Sequence, residues 1–318
     1  MSKRLTRVLM AGLIALAPLA ARAADTLNVG VATIYAPFAP MFAAEDLGFY
    51  KERNLDVVLT VYRGGGAAQE AMAAGAADII TNSPMGAAQA VSKGVKQKIV
   101  AAGGTVTPEG WFVIVLKDSP IKSLADLQGK MIGVTAAGST SDFFALWVAK
   151  HEAVSIRAIP VGGAGMLPAL KGKQVDALIL WPNLSYSAIQ SGAYRSIGDL
   201  GALMGPIIPD TVVASDALIA NRPDVLKRYL QALTKAVAYM KDHEEWGKAY
   251  LKKYTGENSD AVIDESYRQV IQNIRTDGQV KPEWVQSSLE LMRLTAGAAP
   301  MPRLDSVFTD RFLPISQN

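Results

Sequence analysis

The stretch from Leu27 to Pro84 alternates strand-like and helix-like segments, and this alternation constrains the fold more than any other feature of the chain. Leu27–Thr33 is a strand-like run that ends at Tyr35-Ala-Pro37. A helix-like segment then closes in Leu47-Gly-Phe-Tyr-Lys-Glu-Arg-Asn54, and Leu55–Val61 forms a second strand running into Arg63-Gly-Gly-Gly66. Ala71-Met-Ala-Ala-Gly75 and Asp78-Ile-Ile-Thr-Asn-Ser-Pro84 complete the unit. Each strand ends in small or polar residues that open the next helix. In open α/β sheets that edge is where small ligands bind.

The segment ahead of it addresses the chain. Lys3, Arg4 and Arg7 precede an apolar run from Val8 to Leu19, and Ala21-Arg-Ala23 supplies an A-x-A cleavage site. These are the three parts of a secretory signal peptide, with cleavage expected after Ala23. The competing reading, a membrane anchor, needs about 20 apolar residues, and this run is well short of that. With no cysteine in the chain, a lipid-modified cysteine and a disulfide are both excluded. An exported chain of this size must then be held together by its own core.

The formal net charge of +3 misleads. Removing the four basic residues of the signal segment from 32 leaves 28 Lys and Arg against 29 Asp and Glu. A near-neutral chain without a basic block has no electrostatic footprint for nucleic acid.

After Pro84 the alternation continues. Gly86–Lys93 reads as a helix, and Lys98–Ala102 and Trp111–Leu116 read as strands, the latter apolar throughout as in a strand buried on both faces. Ser123–Asp126 marks a capping-box helix start ahead of a strand over Gly129–Thr135. Gly138-Ser-Thr-Ser-Asp142 opens a helix through Lys150, and further strands fall at Ser155–Pro160 and Val175–Leu180. Beyond about Val213 the chain turns helical, with apolar residues at three- and four-residue spacing from Pro223 onward. No Gly- or Ser-rich linker divides it, so any lobes are interwoven rather than strung in a row. There is a faint internal echo: Ala71–Ile80 and Ala169–Leu180 each read as a helix ending at glycine, a turn with Asp, then an apolar strand. Any α/β unit has this pattern, and two similar lobes facing across a cleft also produce it.

Leu47-Gly-Phe-Tyr-Lys-Glu with Leu55-Asp-Val resembles a signature of periplasmic solute-binding proteins of ABC importers, in the branch that includes nitrate, sulfonate and taurine binders and thiamine-pyrimidine binders. Gly65–Asp78, Asp126–Val134 and Arg222–Leu233 are similar to further blocks of that family, in the family's order across nearly the whole mature chain. Two departures stand out: Trp181-Pro-Asn183 lacks the acidic residue usual there, and Asn54 replaces a glycine. The resemblance implies an α/β fold of type II periplasmic binding proteins, two lobes with the ligand cleft between them and two chain crossings. The crossings are expected near Thr105–Gly110 and Pro206–Val213. Lobe 1 is then 24–107 with 212–318, and lobe 2 is 108–211.

The expected ligand-binding residues are Tyr35, Arg63, Gly65, Asn82, Ser83, Trp111, Ser139, Thr140 and Trp181. The helix opening at Ser139 has unpartnered N–H groups and a positive dipole end that suit an anion, and the family places ligand oxygens there. Against this, Ser139 and Asp142 read equally as an S-x-x-D capping box. Gly64–Gly66 lets the backbone approach a ligand closely, or is a plain turn. Arg63 suits a carboxylate or sulfonate, or is a surface arginine. Asn82 and Ser83 offer polar groups at the cleft edge, or cap the following helix. Tyr35, Trp111 and Trp181 could stack on a planar ligand or pack in a core. Asp210 and Thr211 fall at the second crossing, where either could be a hinge residue with no ligand role.

Catalysis has little to work with. The two histidines, His151 and His243, lie far apart on polar helical stretches without partners at metal-ligand spacing. There is no Gly-x-Ser-x-Gly elbow and no cysteine nucleophile. The expectation is a non-enzymatic periplasmic substrate-binding component, a monomer without cofactor or metal. It captures a small organic anion (sulfonate or carboxylate, possibly aromatic) by hinge closure and hands it to the membrane permease subunits. The rival readings are an enzyme on the same fold, pyrimidine-forming or a dehydratase, and a periplasmic ligand sensor.

Overall fold

A computed structural model describes residues 23–205, 207–296 and 301–316. The signal segment therefore lies, but for Ala23, outside the described residues. The strands are β1 (Asp25–Val31), β2 (Leu55–Val61), β3 (Ile79–Asn82), β4 (Gln97–Ala102), β5 (Phe112–Leu116), β6 (Met131–Val134), β7 (Arg157–Pro160), β8 (Ala177–Leu180), β9 (Tyr194–Asp199) and β10 (Thr211–Ser215). They form two five-stranded sheets, ordered β2-β1-β3-β10-β4 and β7-β6-β8-β5-β9. The result is a two-domain α/β architecture with helices flanking mixed sheets.

The two sheets repeat one plan. In each, parallel strands are joined by a single strand that runs antiparallel to its neighbours: β10 between β3 and β4, and β5 between β8 and β9. Each of these is the first strand laid down after the chain crosses over. Each also carries a register shift against its outer neighbour, at Val212/Val213 and at Val113/Ile114. The internal echo falls on equivalent elements, since β3 and β8 hold the same place in their sheets. Its turns differ in one respect. Gly75 takes the left-handed conformation at φ 73°, whereas Gly172 does not and Lys173 takes it instead at φ 57°. Asn54, standing where the family has glycine, is also left-handed at φ 54°, a conformation asparagine tolerates better than most residues.

Two strand readings change. β9 has no counterpart in the sequence reading, because Tyr194–Asp199 is a half-buried edge strand without a clean apolar run. Thr211 to Val213, expected in the return crossing, already belong to β10 and are fully buried; the crossing ends at Asp210.

The helices that matter for the site are α1 (Gly65–Ala73), α2 (Pro84–Ser92), α3 (Thr140–His151), α4 (Pro182–Gln190), α5 (Pro223–Asp242), α6 (Asp260–Gln269) and α7 (Pro282–Ala296). α5 lays one apolar face on the first lobe, where Tyr229 stacks on Tyr50 with ring centroids 5.5 Å apart. Arg228 fastens the same helix to the start of β1, donating to Asp25 Oδ2 at 2.6 Å and to the Arg53 carbonyl at 2.7 Å. These groups are partly buried, so Arg228→Ala is expected to lower stability by about 1–2 kcal/mol, read as a shift of the urea midpoint at unchanged slope. Further along, α6 packs on α4, with Ser259 donating to Gln190 at 2.6 Å, and α7 packs against both α2 and α3. The C-terminal helices thus touch elements flanking both sheets.

Candidate functional site

The strand ends of the two sheets meet around a small cavity. From the first lobe come Thr33, Tyr35 and Phe38 after β1, with Gly64 and Gly65 at the start of α1. From the second come Trp111 before β5, Thr135 after β6, Ser139 to Ser141 at the start of α3, and Trp181 after β8. Asp210, the last residue of the return crossing, completes the lining. The enclosed space is about 20 Å³, roughly the room one water needs. Larger recesses open on either side, one of about 440 Å³ beside Arg63 and Gly162 and one of about 420 Å³ beside Gly66 and Gly138. The loops of the two sheets are thus in contact across the cavity, and the space they leave is smaller than an organic solute.

Aromatic rings make most of the wall. Tyr35 meets Trp111 edge-on at 5.9 Å, and Trp111 sits 6.5 Å from Trp181. Trp111 Nε1 donates to the Tyr35 hydroxyl at 3.2 Å, a hydrogen bond between the lobes. Burial and the neighbouring Asp210 push the Tyr35 phenol well above its ordinary pKa, so it stays protonated.

The opening turn of α3 is both cap and wall. Ser139 Oγ accepts from Asp142 N at 3.3 Å, and Asp142 Oδ2 accepts from Gly138 N at 2.8 Å. The capping reading of this motif is thus realised, while Ser139 still lines the cavity. Thr140 Oγ1 lies within donating distance of Asp210 Oδ1 at 3.1 Å and of the Pro209 carbonyl at 3.2 Å. Burial raises the Asp142 carboxyl above its usual range.

Of the expected residues, Tyr35, Gly65, Trp111, Ser139, Thr140 and Trp181 come together at the cavity. Asn82 and Ser83 do not reach its lining. Asn82 lies beneath it, 1 % exposed, with Oδ1 accepting from Ser83 N and Nδ2 donating to Gln69, and a Cβ on Gly65 would stand 2.6 Å from Asn82 Oδ1. Ser83 caps α2 by accepting from Gly86 N at 3.0 Å. Both stand at a strand end as expected, but their polar atoms turn inward to support the loops that form the wall. Arg63 lines the adjacent 440 Å³ recess, which shares Thr33 and Trp181 with the cavity.

Asp210 is the residue the sequence reading passed over as a hinge. It is 4 % exposed, burial raises its pKa to about 7, and its Oδ2 has no hydrogen-bond partner. Trp181 Nε1 is likewise buried without a partner. A signal was there to find: an acid directly before an apolar strand, in the same place relative to β10 that Trp111 holds relative to β5. Among the described residues, no lysine, arginine or histidine lines the cavity and no cluster of potential metal ligands occurs.

A family model described as NMT1/THI5 like matches residues 36–245, which contain most of this lining. The chain belongs to the NMT1/THI5-like family. A relative named as a binding protein in Brucella abortus is 26% identical to this NMT1/THI5-like chain over 198 residues, 61% of the chain and 60% of the relative. The chain thus spans about three fifths of the length of the curated relatives it matches first. The NMT1/THI5-like chain also shares its fold with the ligand-binding component of an ABC-type import system from Staphylococcus aureus. That likeness has a TM-score of 0.76 at 16% identity and covers 92% of this chain and 100% of the other. The alkanesulfonate-binding protein SsuA of Xanthomonas axonopodis, solved with MOPS, has a TM-score of 0.73 at 18% identity, over 90% of this chain and 99% of that one. The fold is that of periplasmic binding proteins of import systems.

Proposed function

We propose that this NMT1/THI5-like protein is the substrate-binding component of an ABC importer. It captures a small organic solute in the periplasm between its two lobes, residues 24–107 with 212–318 and residues 108–211, and delivers it as a monomer to the permease. The observation that carries this reading is the cavity itself, lying between the two sheets and walled by aromatic rings from both sides. A solute touching both lobes favours the closed form, and closure is what a permease can recognise. No helix among the described residues is long and apolar enough to cross a membrane, which agrees with a separate permease doing the transport. Flat rings at Tyr35, Trp111 and Trp181 favour a solute with a planar or apolar face. An organic anion has the positive end of α3 in its favour, but that end is already capped, and the lining offers no cationic side chain.

Native mass spectrometry of the purified protein tests the reading, with a bound small molecule as the expected result. Trp181→Ala is expected to weaken binding of that molecule about 10- to 100-fold, measured by calorimetry, without loss of fold. Conversion of the bound molecule by the purified protein would instead establish the enzyme reading.

A further inference from the structure

Two buried polar atoms in the cavity wall have no partner in the protein: Asp210 Oδ2 and Trp181 Nε1. Buried polar groups of native proteins are almost always satisfied, so an orphan in a cavity wall is a place where a water or a ligand supplies the missing partner. The two orphans differ in sign. One accepts a hydrogen bond and the other donates. Resting on the binding function proposed above, we infer that Asp210 selects a small solute with a nitrogen head group that donates a hydrogen bond, an amine or other N–H, neutral or cationic, and that it excludes sulfonates and carboxylates. An acceptor elsewhere on the same solute meets Trp181 Nε1.

The surroundings of Asp210 support this. Thr140, from α3, holds its hydroxyl 3.1 Å from Oδ1 and 3.2 Å from the Pro209 carbonyl, so Oδ1 has a donor within reach and Oδ2 is left for the solute. Tyr35, from the loop after β1, is the titratable group that faces Asp210, and it remains a neutral phenol. Asp142 on α3 is turned to the Gly138 amide. No cation among the lining residues neutralises Asp210. An anionic head group would thus enter a site of low dielectric that already holds a carboxyl and offers no counter-charge. A donor does the opposite, because hydrogen bonding to the ionised form favours it and draws down a pKa that burial has raised to about 7.

The test is isothermal titration calorimetry of the intact protein with four probes: benzylamine, cytosine, benzoate and benzenesulfonate. Wild type, Asp210→Asn and Thr140→Val are compared at about pH 6 and pH 8. In the wild type, the two nitrogen probes are expected to bind more tightly than the two anions. Benzylamine is expected to tighten from pH 6 to pH 8 as Asp210 ionises, and to weaken about 10- to 100-fold in Asp210→Asn. Thr140→Val keeps the carboxyl but removes the hydroxyl that favours its ionised form, so the pH at which benzylamine tightens moves up; this arm stands even if Asp210→Asn does not fold. Tighter binding of benzoate or benzenesulfonate, stronger at pH 6 than at pH 8, would overturn the inference by showing a protonated Asp210 donating to an anion. That result would leave the solute-binding role intact. Binding of none of the four also overturns it, and the role itself falls only if native mass spectrometry finds no bound molecule.

Discussion

Gly66→Ala is expected to abolish tight capture of solute while leaving the fold at least as stable as before. A Cβ built on Gly66 stands 2.1 Å from the carbonyl oxygen of Ala137 and 3.3 Å from the Ala136 Cβ. Ordinary carbon–oxygen contacts begin near ~3.3 Å, so the backbones of α1 and of the loop after β6 must part by about an ångström. These two segments belong to opposite sides of the cavity, and the clash exists only when the lobes are closed. Parting the lobes would free the methyl group of these atoms, and alanine is a better helix former than glycine by up to ~1 kcal/mol. The expected loss of affinity for the co-purified solute exceeds ~100-fold, about 2.7 kcal/mol, because binding is coupled to a closure the methyl group opposes. Calorimetry reads the affinity, small-angle scattering the failure to close, and a melting curve the unchanged stability. Unchanged affinity would mean that solute binds without the lobes meeting at Gly66.

The second large effect is a pH dependence set by Asp210. Burial raises its carboxyl from 3.8 to about 7 in the closed protein, while in the unfolded chain it titrates near its ordinary value of about 3.9. Between about pH 4 and pH 7 the folded state holds a proton that the unfolded state has lost, so stability falls as pH rises through this window. The destabilisation is complete above about pH 7 and absent below about pH 4. Its ceiling is about 4 kcal/mol, from roughly three pKa units at 1.36 kcal/mol each. Parting the lobes rehydrates the carboxyl at lower cost than unfolding, so part of the effect should emerge as easier opening at pH 8. Asp210→Asn removes the titration. The variant is expected to be more stable than wild type at about pH 8 and similar near pH 4, compared through urea midpoints. Parallel pH profiles for the two proteins would show that Asp210 is solvated in solution.

Much of this was legible from residues alone. The apolar runs at Ile79, Phe112, Met131 and Ala177 became strands because short apolar segments between polar or turn residues have few other ways to be buried. Trp111 and Trp181 were singled out from their positions at strand boundaries, and both line the cavity. Asn82 and Ser83 shared that reasoning but turned inward, because local position names a strand end without telling which way its polar atoms point. β9 was illegible since a half-buried edge strand carries little periodic signal.

What the sequence determined by itself is most of the elements, their α/β order and the small or polar loops that end the strands, since all of these depend on neighbours a few residues apart. The make-up of the cavity wall was decided only in three dimensions. Trp111 meets Tyr35 across 76 positions and Thr140 meets Asp210 across 70, and both pairings exist only because the chain crosses between its sheets and comes back. An aspartate before a strand is ordinarily a solvated turn residue. Here the return crossing buries it between two lobes, and the loss of water turns it into the most perturbed carboxyl of the site.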